Sequence, residues 1–148
     1  MKYRTTKVHS DDPTVVLKLL TIHDACFGFS AAKPKVWEEG TWWLAYEVDT
    51  IHSHIPVAFA GVTSKGYLSR SGVLPKARGN GLQLRLIRAR ANWARSIGLE
   101  RVYSDTTDNP HSAANLAKAG FTQFKPEKPW AFKHSLYWEK HFDATPSH

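Results

Sequence analysis

The stretch Val73-Leu74-Pro75-Lys76-Ala77-Arg78-Gly79-Asn80-Gly81-Leu82-Gln83 decides how the chain is read. A strand-like run, Gly66 to Val73, feeds a turn with two glycines, and a long helical pattern follows. In that pattern Leu82, Leu86, Trp93, Ala94 and Ile97 fall on or near one face, while Arg85, Arg88, Asn92 and Arg95 lie elsewhere. Gly98 is placed to end the helix. The first N–H groups of a helix have no intrahelical partner, and the helix dipole adds partial positive charge there. Gly79 and Gly81 carry no side chain, so a phosphate can come close to those N–H groups, and Arg78 can add a charge-assisted bond. The lysine and Ser/Thr of the common nucleotide P-loop do not follow these glycines, which makes a mononucleotide with Mg²⁺ a poor fit. Taken alone, the glycines favour a plainer reading: a tight turn with a glycine cap.

On the N-terminal side, Tyr3 to Val8 alternates as an opening strand. Ser10-Asp11-Asp12-Pro13 reads as a helix start, with acids near the positive end of the dipole. Val16, Leu19, Leu20 and His23 then recur at helical spacing until Gly28, and a second, short helix is expected over Lys35 to Glu39. Thr41 to Val48, Ile55 to Val62 and Gly66 to Val73 are rich in aromatic or β-branched residues. With turns at Asp49 to His54 and Thr63 to Lys65 they form an antiparallel meander. On the C-terminal side Arg101 to Asp105 is a fifth strand. Asn109 caps and Pro110 opens a helix that ends at Gly120. Phe121 to Phe124 is a strand, Pro126 to Pro129 a loop, Ala131 to Phe142 the last strand, and Asp143 to His148 a frayed tail. This order defines a mixed α/β domain rather than a helical bundle or a sandwich.

The chain has 148 residues, a length that fits a single domain. With 42% apolar and 22% charged residues it is not a disordered polymer. No apolar run is long enough to span a bilayer, and Met1 to Ser10 lacks a signal-peptide core. Cys26 is the one cysteine, which excludes an internal disulfide and a Cys-rich zinc site and points to a cytoplasmic setting. His52 and His54 form a His-Ser-His turn with no third ligand in view, so no metal site is expected. The net charge of +7 suggests an anionic partner: nucleic acid, a membrane surface or a phosphorylated ligand.

Three motifs in register narrow these options. Arg78-Gly79-Asn80-Gly81-Leu82-Gln83 resembles the Arg/Gln-x-x-Gly-x-Gly/Ala signature of the GCN5-related N-acetyltransferases, the GNAT superfamily. Val73-Leu74-Pro75 stands where that family has Val-x-Pro at the end of its fourth strand. Asn109, Ser112, Lys118 and Gly120-Phe121 are similar to the family's Asn, small residue, lysine and Gly-Phe along its last helix. Two positions depart from the pattern. Gln83 replaces a small residue, and Leu116 stands where many members carry the tyrosine that protonates the leaving thiolate of coenzyme A.

The resemblance implies the GNAT fold over residues 1–148: a mixed, mostly antiparallel sheet of six to seven strands, flanked by about four helices and splayed between strands four and five. It implies an acetyl-CoA-dependent N-acetyltransferase, an acyltransferase that moves the acetyl group directly to a primary amine. The pyrophosphate is expected on the N–H groups of Arg78, Gly79, Asn80, Gly81, Leu82 and Gln83, with Asn109, Ser112, Asn115 and Lys118 as further cofactor contacts. The N–H near Val73 polarises the thioester carbonyl, with Gly72 allowing a bulge that frees it. Arg85 is close enough to the turn to reach a CoA phosphate, and Arg85, Arg88, Arg90 and Arg95 otherwise form the wet side of the long helix.

A base is needed because amines are mostly protonated at neutral pH. Glu47, Asp105 and Tyr137 are the candidate catalytic residues, with Tyr137 and Tyr103 ranked above Ser104 as the replacement acid and His134 near the acceptor's entry. Each also has a structural or surface reading. Cys26 reads as a buried structural thiol, and His23 as an acceptor-pocket or polar-face residue. Trp37 and Trp130 fall where the family shapes its acceptor site, and aromatic walls suit apolar or cationic acceptors. Of the adjacent Trp42 and Trp43 at least one is core. Relatives that pair through their last strands make a homodimer a fair expectation. Two other readings stay open: a non-catalytic acyl-CoA-binding protein, motivated by Leu116, and a basic nucleic-acid-binding domain, motivated by the charge.

Overall fold

Asp12 starts the first helix as its sequence predicts: its carboxylate accepts from the Thr14 N–H at 2.9 Å, and Pro13 occupies the first helical position. The structure, a computed structural model, describes residues 2–28 and 40–143. Its strands are β1 (Tyr3–Val8), β2 (Thr41–Glu47), β3 (Pro56–Val62), β4 (Leu68–Val73), β5 (Arg101–Thr106), β6 (Thr122–Phe124) and β7 (Leu136–His141). Its α-helices are α1 (Pro13–Phe27), α2 (Leu82–Ser96) and α3 (Pro110–Lys118), with a 3₁₀ turn at Pro75–Ala77. The short helix expected over Lys35 to Glu39, and Trp37 with it, lie outside the described residues, as do residues 144–148 of the expected tail.

The strands form two antiparallel sheets, β1-β2-β3-β4 and β5-β7-β6. They meet where Tyr67 and Tyr103 make an isolated parallel bridge and the Tyr103 N–H donates to the Gly66 carbonyl at 3.0 Å. Past that point no ladder joins β4 to β5, so the two parallel strands part. This is the splay between strands four and five that the resemblance implies.

The first sheet is covered on both faces, which is why β2 reads as a near-continuous apolar run. Trp42, Leu44, Tyr46 and Phe59 pack under Leu19 and Ile22 of α1. Trp43, Ala45, Ala58 and Ala60 face a larger core with Leu82, Leu86, Ile87, Ala91 and Ala94 of α2. Trp42 and Trp43 are therefore both core. No helix among the described residues is long and apolar enough to cross a membrane.

Several boundaries shift for physical reasons. The last strand begins at Leu136 rather than Ala131, because the Ala131 N–H is taken by the Tyr137 hydroxyl and the Phe132 N–H by Ser135 Oγ, both at 3.0 Å. These side chains hold the segment as a loop. Ile97 falls past the end of α2 and is half exposed. Arg90, grouped with the wet side of α2, is instead 2% exposed. Its guanidinium donates to the Leu86 carbonyl at 3.1 Å and the Gly61 carbonyl at 3.0 Å. Gly61 sits at the irregularity in the β3–β4 ladder, so Arg90 satisfies a carbonyl at the point where the ladder slips. Burial pulls the Arg90 pKa down to about 9, and it stays charged at neutral pH.

Arg90→Ala is expected to orphan the Gly61 carbonyl and open a cavity. Urea unfolding should show a loss of roughly 2–4 kcal/mol, against under about 0.5 kcal/mol for the exposed Arg88→Ala.

Candidate functional site

A cleft of about 740 Å³ opens where β4 and β5 part. Ser71, Gly72 and Val73 line it from β4, and Arg78, Gly79 and Gly81 from the turn. Leu82 and Gln83 close one end, Asn109, Ser112, Asn115 and Lys118 of α3 the facing side, and Cys26 and Phe27 the end of α1.

The backbone of β4 turns two groups into this cleft. The Leu74 N–H donates to the Val57 carbonyl at 2.9 Å, which makes Val57 and Leu74 a hydrogen-bonded pair. By antiparallel alternation Phe59 and Gly72 are the next such pair, while the partners Ala58/Val73 and Ala60/Ser71 are not. The N–H and C=O groups of Ser71 and Val73 therefore point away from β3, into the space β5 has left. Regular alternation frees the Val73 N–H, and the expected bulge at Gly72 is absent: the irregularity lies between Ala60 and Val62. Gly72 has a different role. A Cβ there would stand 2.9 Å from Cys26 Sγ and from the Phe59 ring, so only glycine lets α1 pack this close.

The turn has the geometry its glycines suggest. Gly79 (φ +80°) and Gly81 (φ +74°) are left-handed, and Gly81 caps α2. A Cβ added at either meets nothing within 4 Å, so both face open space. The first intrahelical bond runs from the Arg85 N–H to the Gly81 carbonyl at 3.0 Å, which leaves the N–H groups of Leu82, Gln83 and Leu84 without intrahelical partners. Asn80 does not line the cleft; its amide donates to the Ala77 and Arg78 carbonyls at 3.0 and 3.1 Å and braces the turn. Arg78 Nε donates to the Val73 carbonyl at 3.2 Å, tying turn to strand. Arg85 reaches the Tyr3 carbonyl at 2.8 Å and anchors β1.

Across the cleft Asn109 caps α3, accepting from the Ser112 N–H at 3.0 Å. Gln83, the residue that departs from the family pattern, is turned aside. Its amide nitrogen donates to Ser112 Oγ at 2.7 Å, and its oxygen accepts from Asn115 Nδ2 at 2.6 Å. The bulk of Gln83 thus clamps α2 to α3 instead of covering its own N–H. Leu116 points into the core at 4% exposure. Cys26 is partly exposed and lines the cleft; burial pushes its thiol pKa up, against the opposing effect of Arg78. His23 is buried beside Arg70, with Nε2 2.7 Å from the guanidinium, and stacks on Phe27.

The three candidate catalytic side chains do not converge on the cleft, although Asp105 and Tyr137 are neighbours. Glu47 ends β2 and lies 3.8 Å from Lys76 Nζ. Asp105 and Tyr137 are register partners on β5 and β7. Asp105 accepts from the Tyr67 hydroxyl and from Trp130 Nε1, and the Tyr137 hydroxyl accepts from the Ala131 N–H. None of the three is among the side chains lining the cleft. Ser104 Oγ is spent on the Leu68 carbonyl at 3.2 Å, and His134 pairs with Asp108 at 3.0 Å. Tyr67, missed from sequence, is the partner that places Asp105; strand alternation alone carries no signal for a contact between two sheets.

The fold agrees with comparisons to known proteins. The chain belongs to the acetyltransferase (GNAT) family, whose model matches residues 17–121. No curated protein sequence matches it at a significant level. Among solved structures it is similar to Arabidopsis thaliana NAA60 in complex with acetyl-CoA, with TM-score 0.77 at 13% identity over 95% of this chain and 100% of that one. The ribosomal-protein-S18-alanine N-acetyltransferase from Escherichia coli superposes with TM-score 0.71 at 10% identity, over 98% of this chain and 97% of that one. An acetyltransferase from Streptococcus agalactiae gives TM-score 0.70 at 16% identity over 95% and 98%. At such identities the structural likeness speaks for the fold.

Proposed function

We propose that the protein is an acetyl-CoA-dependent N-acetyltransferase, with residues 1–148 acting as one catalytic domain. The observation that carries this reading is that the outward-turned Val73 N–H and the Gly79–Gly81 turn line one cleft. The free N–H groups of Leu82, Gln83 and Leu84, together with Gly79, Gly81 and Arg78, seat the pyrophosphate. Lys118, exposed at the cleft edge, meets a further phosphate. The pantetheine arm runs along β4, where the Ser71 and Val73 backbone groups supply a donor and an acceptor to its amides. The Val73 N–H then faces the thioester oxygen, where negative charge grows as the amine attacks. Attack forms the C–N bond, the C–S bond breaks, and water carries the proton that the nitrogen loses to the leaving thiolate, because Leu116 has none to give.

The test is thiol release from acetyl-CoA against a panel of primary amines. Release with at least one amine, well above the amine-free rate, is the expected result. Binding of acetyl-CoA without turnover of any amine would favour a non-catalytic acyl-CoA-binding protein, the reading that Leu116 motivates.

A further inference from the structure

The carboxylate of Asp105 is held in an unusual way for this chain. Among the described residues the other carboxylates with little exposure lie beside basic side chains: Asp24 beside His23, Glu47 near Lys76, and Glu139 with Arg101 and His141. Among the described residues Asp105 has no such partner, although the chain carries a net charge of +7. One oxygen, Oδ1, accepts from two neutral donors, the Tyr67 hydroxyl and Trp130 Nε1, the latter at 3.1 Å. Among the described residues no donor reaches Oδ2. Burial and the bond to Asp105 both push the Tyr67 pKa up, so its hydroxyl remains a donor.

The surroundings are aromatic and fixed. Trp130 stands edge-on to Tyr103, Tyr67 and Tyr137, with ring centroids 5.8, 6.3 and 4.6 Å away. Trp130 itself is 45% exposed. The loop that carries it is pinned by the Tyr137 hydroxyl on Ala131 and by Ser135 Oγ, which lies 2.6 Å from Thr107 Oγ1. Along β5, Asp105 is two residues beyond the Tyr103 bridge, where the strands have parted, and its side chain shares the face of Tyr103 rather than that of the buried Val102, Ser104 and Thr106. In the parallel register set by the Tyr67–Tyr103 bridge it is level with Ser69 of β4, two residues before the stretch Ser71 to Val73 that lines the cleft.

We propose that Asp105 and these rings form the acceptor site, and that the acceptor is a primary ammonium carried on a flat apolar group. The inference rests on the acetyltransferase reading and names the substrate class of that same site. Oδ2 receives an ammonium N–H as a charge-assisted bond, while the flat carrier lies on the exposed side of Trp130. Asp105 touches the substrate and orients it; Tyr67, Tyr137 and Ser135 are positioning residues. In the transfer the ammonium releases one proton to water and its nitrogen attacks the thioester carbon. The second nitrogen proton accompanies formation of the thiol, so ammonium and acetyl-CoA yield amide, coenzyme A thiol and one proton.

The test uses the Trp130 indole N–H, which sits on Asp105, as an NMR reporter assigned by its loss in Trp130→Phe. Phenethylammonium is titrated against phenethyl alcohol, the same carrier without charge. The indole resonance should move with the ammonium and hold still with the alcohol. Asp105→Asn keeps an oxygen for Tyr67 and Trp130 but replaces the charged Oδ2 with a donor, so the fold survives while ammonium affinity falls at least about tenfold. Equal shifts from the alcohol, no shift from either probe, or unchanged ammonium affinity in Asp105→Asn would overturn the assignment. Acetyl-CoA titrated into the same Asp105→Asn sample reads the donor cleft separately, so loss of the acceptor site and loss of the acetyltransferase reading give different results.

Discussion

Gly81→Glu is expected to weaken acetyl-CoA binding roughly 100-fold or more while the protein stays folded. Gly81 caps α2 at φ +74°, and a Cβ there meets nothing within 4 Å. The backbone strain of a side chain at positive φ is about 1–2 kcal/mol. Part of that is offset, because a carboxylate at a helix N-terminus is favoured by the dipole and by the free N–H groups. Those same N–H groups are the phosphate seat, so the new carboxylate occupies it and repels the incoming phosphates. Calorimetry should show little or no heat with acetyl-CoA, and a thermal melt should show a fold only modestly destabilised. Unchanged affinity would place the phosphates elsewhere.

Val73→Pro should reduce kcat by about 10²- to 10³-fold, the usual cost of losing one oxyanion donor. The substitution removes an N–H that the ladder does not use, since Ala58 and Val73 are a non-hydrogen-bonded pair. Proline is tolerated where a strand's N–H faces away from its neighbour. Gly72, just before it, accepts the extended conformation that a residue preceding proline needs. The β3–β4 pairing thus survives, and the loss falls on the chemical step rather than on the fold. Thiol release from acetyl-CoA, measured with whichever amine the wild type turns over, reads the effect. A kcat within a few fold of wild type would remove Val73 from the mechanism.

Local signals made much of this legible in the sequence. Asp12 and Asn109 act as the helix caps their side-chain chemistry suggests, and the two glycines after Arg78 take the left-handed backbone their small size permits. What could not be read depends on contacts distant in the chain. Arg90 looked like one of several arginines on a wet face. Its burial follows from the ladder irregularity at Gly61, on a strand 29 residues away. Gln83 departs from the family's small residue, and its partners Ser112 and Asn115 come from α3, 29 and 32 residues on. Asp105 was recognisable as a carboxylate at the end of a strand. Its partners Tyr67 and Trp130 reach it only because the two sheets join at Tyr67 and Tyr103 and the loop before β7 folds back over β5. Trp37, by contrast, falls outside the described residues, and the acceptor-side expectation attached to it rests on sequence alone.

The central claim is that acetyl-CoA lies in the cleft between β4 and β5, with its phosphates on the turn and its thioester at Val73. Backbone amide NMR during an acetyl-CoA titration tests it directly. The account predicts that the largest shifts fall on Val73, Gly79, Gly81, Leu82 and Gln83, while Thr122 to Phe124 on β6 stay still. No shifts at saturating acetyl-CoA, or shifts confined to β6 and the loop before β7, would contradict it.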